Sequence, residues 1–221
     1  MKTAVFACNT LHDEITLAAQ QVGFTGDMHW LASNLHNSTE RLREALQCGL
    51  DSLNSYERVL LGFGFCGSSV SGLTTGSYQL ILPRIDDCIS LMIGSIRRRA
   101  ELSEGHNSIF LTKGWLTNES NIMSEYLHSL NKYGEEAARS VIEMMYAHHD
   151  RLTLIDTGAY TVEEFLPDVI KMAAFFDKSA NVVPGTLEYL EKLLTGPWTP
   201  DLFITISPQT LIDSSMLRLP D

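Results

Sequence analysis

Three of the four cysteines, Cys8, Cys66 and Cys88, stand where an apolar run gives way to a loop. Cys8 closes Thr3-Ala4-Val5-Phe6-Ala7, and Cys66 closes Val59-Leu60-Leu61-Gly62-Phe63-Gly64-Phe65. Cys88 follows Leu80-Ile81-Leu82-Pro83-Arg84-Ile85 by two acidic residues. Thiolates are soft ligands suited to zinc or an iron–sulfur cluster, and a single activated thiolate is a nucleophile. No Cys-x-x-Cys pair is present. A metal centre on Cys8, Cys66 and Cys88 must therefore be assembled from segments distant in sequence. Cys48, in the middle of a predicted helix, takes no part.

The segment from Gly62 to Gly72 carries the most distinctive composition, Gly-Phe-Gly-Phe-Cys-Gly-Ser-Ser-Val-Ser-Gly. It lacks the Gly-Lys-Ser/Thr ending of a phosphate-binding loop. Gly62, Gly64 and Gly67 match Gly-x-Gly-x-x-Gly in spacing, but they straddle the strand end instead of following it. A tight turn, an anion cradle formed by the amides of Gly67 and Ser68, and a thiol displayed on Cys66 all fit. A cysteine nucleophile needs a base or a positive neighbour, which His36 or His12 can supply from other strand ends.

Asp86 and Asp87 offer carboxylates for ligation or proton transfer, or cap the helix that follows them. Arg84 either pairs with one of these acids or holds an anionic substrate. Trp115, after Gly114, packs a loop or lines a pocket. Arg97-Arg98-Arg99 reads as a solvated helix end.

Placing these residues requires alternating strands and helices. Strands are predicted at 2–7, 28–32, 58–65, 78–85, 108–112, 152–155, 181–183 and 202–206. Helices are predicted at 13–22, from the Asn37-Ser38-Thr39-Glu40 capping signal to about 53, and at 89–98, 162–176 and 186–194. Residues 121–149 favour helix throughout, with Gly134 as a break. The pattern implies an α/β fold with a largely parallel sheet and helices on both faces. It suits one domain over residues 1–221, or two Rossmann-like halves joined by a long helix with a seam within 117–150. In such sheets ligands bind beyond the strand carboxyl ends, where the three cysteines lie.

The chain has 221 residues, 44% of them hydrophobic and 19% charged, and a net charge of −11. That composition suits a packed core, and the charge opposes binding to nucleic acid or an anionic membrane surface. The apolar run after Lys2 is too short for a secretory signal, and no stretch is long enough to span a bilayer. A cytoplasmic, reducing location is expected, so the thiols are expected to be free.

Several runs together resemble the uncharacterised DUF1638 family. They are Ala7-Cys8, Leu35-His36-Asn37 with Glu40-Arg41-Leu42-Arg43, Leu61 to Gly67 ending in Gly72-Leu73, and Pro83 to Ile89 through Gly94-Ser95. Leu111-Thr112-Lys113-Gly114-Trp115-Leu116 and Gly196-Pro197-Trp198 complete the set. The resemblance implies an association with corrinoid-dependent methyl transfer in anaerobes, and it carries over Cys8, Cys66 and Cys88. The sequence departs from the family at Asp86, where many members have His before Asp-Cys. A metalloprotein acting on or delivering a small molecule in one-carbon or methylamine-type metabolism is the leading expectation. A metal-free thiol enzyme built on Cys66 and a non-catalytic accessory of a corrinoid protein or methyltransferase stand beside it.

Overall fold

The computed structural model describes residues 1–32, 35, 38–103, 105–117 and 121–219. The eight expected strands are present: β1 (Thr3–Cys8), β2 (Asp27–Leu31), β3 (Arg58–Gly62), β4 (Gln79–Pro83), β5 (Ser108–Leu111), β6 (Arg151–Asp156), β7 (Ser179–Pro184) and β8 (Phe203–Ile206). They form two sheets, one ordered β2-β1-β3-β4-β8 and one ordered β5-β6-β7. Among the described residues the named strands pair in parallel except β4 with β8, where Leu80 opposes Ile206 and Pro83 opposes Phe203.

The helices are α1 (His12–Val22), α2 (Thr39–Asp51), α3 (Cys88–Ile93), α4 (Ile96–Leu102), α5 (Lys113–Thr117), α6 (Ile122–Tyr133), α7 (Glu135–Met145), α8 (Val162–Phe175) and α9 (Glu188–Thr195). Gly134 divides the long helical stretch as expected. The single helix expected at 89–98 is two, because Gly94 takes φ 103° and Ser95 then caps the next helix by accepting from the Arg98 amide at 3.0 Å. A left-handed φ ends an α-helix, and glycine adopts it without steric cost.

Three apolar layers hold the sheets. Val5, Ala7, Leu60 and Ile81 on one face of the larger sheet pack with α1, α3 and α9, and with Phe110, Ile155 and Val183 of the smaller sheet. The opposite face, Ala4, Phe6, Val59, Leu61 and Leu80, packs on Leu42, Leu46 and Leu50 of α2. Leu152 and Leu154 face α6, α7 and α8. Alternate residues of β1, β3 and β6 thus serve opposite cores, which explains why these strands read as continuous apolar runs. The seam expected within 117–150 lies inside the three-stranded unit. The chain passes between the sheets before β5 and again after β7.

Candidate functional site

β3 and β4 run in parallel, and the loop beyond β3 stays hydrogen-bonded to the segment beyond β4. The Phe65 amide donates to Ile85 O at 2.9 Å and the Cys66 amide to Asp86 O at 2.8 Å. Gly64 permits this approach. A Cβ there would stand 2.5 Å from the Asp87 Cα and 2.7 Å from its N and C atoms. With the two backbones in contact, the sulfurs of Cys66 and Cys88 lie 3.9 Å apart.

Cys66 is partly exposed and packs against both cores of the larger sheet, whereas Cys88 is buried at the first turn of α3. The hydrogen-bonding Cys66 sulfur, followed by burial, holds the Cys88 thiol well above its ordinary pKa; the Gly64 amide opposes this. Cys66, Gly67 and Ser68 have φ of 44°, 64° and 68°, three consecutive left-handed residues. That conformation costs a non-glycine residue about 1–2 kcal/mol. Arg43 braces the turn, donating from Nη2 to Ser68 O at 3.3 Å.

Cys8 has a different hydrogen-bond neighbour. It is fully buried on the α2 face, its sulfur 2.6 Å from Thr10 Oγ1. Burial first, and the nearby Cys88 second, push its thiol up to about 12, against the opposing Thr10 hydrogen bonds. Among the described residues no group of three or more His, Cys, Asp or Glu side chains is disposed to hold a metal ion. The structure brings the Cys66 and Cys88 sulfurs together, and it places Cys8 against the Thr10 hydroxyl with Cys88 close enough to raise its thiol.

The expected acidic and basic partners are placed as follows. Asp87 is the α3 N-cap: its Oδ1 accepts from the Ile89 and Ser90 amides, both at 3.0 Å, and its Oδ2 takes a short hydrogen bond from Arg99. Asp86 accepts from the Asp87 amide at 2.9 Å and from Arg99 at 3.4 Å. These carboxylates hold the first turn of α3 and its Arg99 buttress. Arg99 is correspondingly a buttress for that turn and no solvated helix end. Arg84 points away, to the carbonyls of Pro200 at 2.7 Å and Arg218 at 2.6 Å, and so tethers the C-terminal segment. Gly67 and Ser68 are exposed on the Cys66 turn. Trp115 packs between two cores. His36 lies outside the described residues.

A second polar locus adjoins Cys8 through Thr10; it gathers His12, the candidate base, and Lys113-Gly114 of the family-like run around Glu14, which no motif marks. A pocket of about 290 Å³ is lined by Asn9, Thr10, His12, Asp13, Glu14, Lys113, Gly114 and Thr117. It sits beyond the carboxyl ends of β1 and β5, and Thr157, beyond the end of β6, reaches its carboxylate. Gly114 permits the approach of α5, because a Cβ would stand 1.9 Å from Thr10 O. Asp13 is held by Lys113 at 2.6 Å and His12 at 3.0 Å, and these hydrogen bonds keep its carboxyl low despite burial.

Glu14 is only 1% exposed. Its Oε1 accepts from Thr157 Oγ1 at 3.1 Å, while its Oε2 is buried with no hydrogen-bond partner. Burial pushes its carboxyl up to about 7. In the sequence Asp13-Glu14 reads as first-turn acids compensating a helix dipole. The only local sign of burial is that Glu14 precedes the buried Ala18 by one helical turn.

Residues 30–194 match the family described as "Protein of unknown function (DUF1638)". The chain belongs to the DUF1638 family. The matched stretch contains Cys66, Cys88 and the whole β3–β4 junction; Cys8 and Glu14 precede it. No curated protein and no solved structure matches this DUF1638 chain. No helix among the described residues is long and apolar enough to cross a membrane.

Proposed function

We propose that Cys66 and Cys88 are the thiolate pair of a soft-metal centre, zinc or an iron–sulfur cluster, with Cys8 recruited as the third sulfur. The supporting observation is the 3.9 Å separation of the Cys66 and Cys88 sulfurs. Sulfurs bound at about 2.3 Å around a tetrahedral zinc stand about 3.8 Å from one another. The donor pair therefore fits a metal edge without backbone movement. Cys8 must exchange its Thr10 hydroxyl partner to join it. With three protein sulfurs, a fourth position stays open for a small molecule, the arrangement that catalytic metal sites use to polarise a substrate or activate water. In one-carbon or methylamine-type metabolism that molecule would be a small methyl donor or acceptor. A corrinoid protein or methyltransferase would be the partner, to be sought by pull-down under anaerobic conditions. Free thiols of this kind suit a reducing cytoplasm.

The second reading is a metal-free thiol enzyme. It is favoured by the partly exposed Cys66 on a left-handed turn at φ 44°, in front of a buried second thiol.

Anaerobic purification, elemental analysis and a visible spectrum separate the two readings. A brown protein indicates a cluster, and a colourless one with stoichiometric zinc indicates a thiolate zinc site. Cys66→Ser and Cys88→Ser are each expected to abolish metal retention, and Cys8→Ser to weaken it. Because the raised Cys88 thiol must lose its proton to bind, metal affinity should rise at least about tenfold per pH unit near neutrality. Absence of metal together with selective alkylation of Cys66 overturns the metal centre in favour of the thiol enzyme.

A further inference from the structure

The pocket beside α1 has an uneven charge balance. Asp13 is matched by Lys113 at 2.6 Å and by His12 at 3.0 Å. Glu14 has the neutral Thr157 hydroxyl on Oε1 and its own amide nearby, while among the described residues Oε2 has no hydrogen-bond partner. Lys113 and Asp13 pair with each other, and among the described residues no ion pair reaches the Glu14 carboxylate, so an ionised Glu14 is a buried charge without a partner. A buried acceptor without a donor costs about 1–3 kcal/mol. A ligand that brings a donor and a positive charge removes that cost.

We propose that this pocket binds a small organic cation, a primary amine of a few heavy atoms, whose ammonium group takes the Glu14 carboxylate as its counter-ion. The volume of about 290 Å³ suits such a molecule. Each water in the liquid takes about 30 Å³, so the space exceeds what one or two bridging waters fill. Asn9, Thr10 and Thr117 add neutral polar side chains around the rest of the ligand. The pocket's position beyond the ends of β1 and β5, with Thr157 of the β6 end on the carboxylate, is where open α/β sheets bind small molecules. An anion would lack a partner, because Lys113 is engaged by Asp13. A bare metal ion would need several oxygen ligands at once, and among the described residues no acidic or imidazole cluster supplies them.

The groups that act on the carboxylate are Asp13 and the Glu14 amide on α1, Lys113 on α5, and Thr157 and Tyr160 after β6, with His12 in the same lining. Glu164 on α8 acts on Lys113 from outside, and Asp156 acts on Tyr160. A cation favours the ionised Glu14, so affinity rises with pH through the value of about 7 that burial gives this carboxyl.

The test is calorimetric titration of the full chain with ethylammonium and with a short diamine, using ethanol and acetate as uncharged and anionic controls. Saturable amine binding is expected, about tenfold weaker at pH 6 than at pH 8. Glu14→Gln, which keeps the shape and the Thr157 bond, should weaken binding at least tenfold and abolish the pH dependence. His12→Gln should leave that dependence in place. If Glu14→Gln does not fold, the pH series on the wild-type chain decides. No amine binding (an ordered water alone on Oε2), binding indifferent to pH and to Glu14, or preferential binding of acetate each overturns the proposal. The outcome is independent of the metal content of the cysteine pair.

Discussion

The Cys66–Cys88 junction and the Glu14 pocket use the same construction and leave different things open. In each, a glycine lets one backbone press on another: Gly64 on Asp87, and Gly114 on the Thr10 carbonyl. At the first junction Asp86 and Asp87 share Arg99 and each of their four carboxylate oxygens accepts a hydrogen bond, so what remains open to chemistry is the pair of sulfurs. At the second the hydrogen bonding stops one oxygen short: among the described residues Oε2 of Glu14 is buried without a donor. Saturated hydrogen-bond networks fix geometry. An unmatched buried charge costs stability, and proteins retain such groups mostly where a ligand or a proton transfer uses them.

The largest expected effect comes from breaking the shared construction. Gly64→Ala sets a Cβ against backbone atoms that cannot yield and should cost about 3 kcal/mol or more. It should also abolish cross-linking of Cys66 to Cys88 by a short dithiol reagent. Gly114→Ala should destabilise comparably in urea unfolding and leave the cross-link intact. Equal loss of cross-linking in both variants would mean that the two loci are one mechanical unit.

Next is the unmatched carboxylate. The folded chain holds the Glu14 proton up to about 7, against 4.5 for an ordinary glutamate. Between these values the folded state binds more protons than the unfolded state. Stability from this group is therefore present at low pH and lost as pH rises, by about 3 kcal/mol in total. Glu14→Gln should flatten that slope and exceed the wild type at pH 8 in urea unfolding; an unchanged slope assigns the pH dependence to other groups. The smallest effect is at the exposed Ser68, whose φ of 68° glycine adopts freely. Ser68→Gly should stabilise by about 0.5–1 kcal/mol in thermal unfolding and leave the sulfur pair as it is.

The strands and most helices were legible in the sequence, because period and capping are local signals. The division at Gly94-Ser95 was in principle visible as a glycine followed by a capping serine. The sheet order was not legible. Nothing in Phe203–Ile206 says that it runs antiparallel beside β4, since pairing partners are set by the whole chain. At the site, the cysteine positions beyond β3 and β4 could be read from strand ends. Their distances could not, because they depend on how closely Gly64 lets two backbones approach. Arg84 illustrates the limit. A cation beside Asp86 and Asp87 in sequence reads as their partner, yet the acids take Arg99 from one helix later, and Arg84 binds carbonyls near the other end of the chain. Glu14 was hidden because an acid in a first helical turn has a sufficient local explanation.

The antiparallel pairing of β8 with β4 bears on the order of assembly. The sheet that carries Cys66 and Cys88 begins with β1 and receives its last strand from Phe203–Ile206, after the chain has built all of the three-stranded unit. Until that strand arrives, the β4 backbone is an open edge beside the buried Leu80 and Leu82, a surface prone to wrong pairing. Contacts so far apart in sequence form late and slowly. The thiol pair therefore waits on the far end of the polypeptide for a closed scaffold, and any oxidant or metal ion present during synthesis meets these cysteines before their geometry is set.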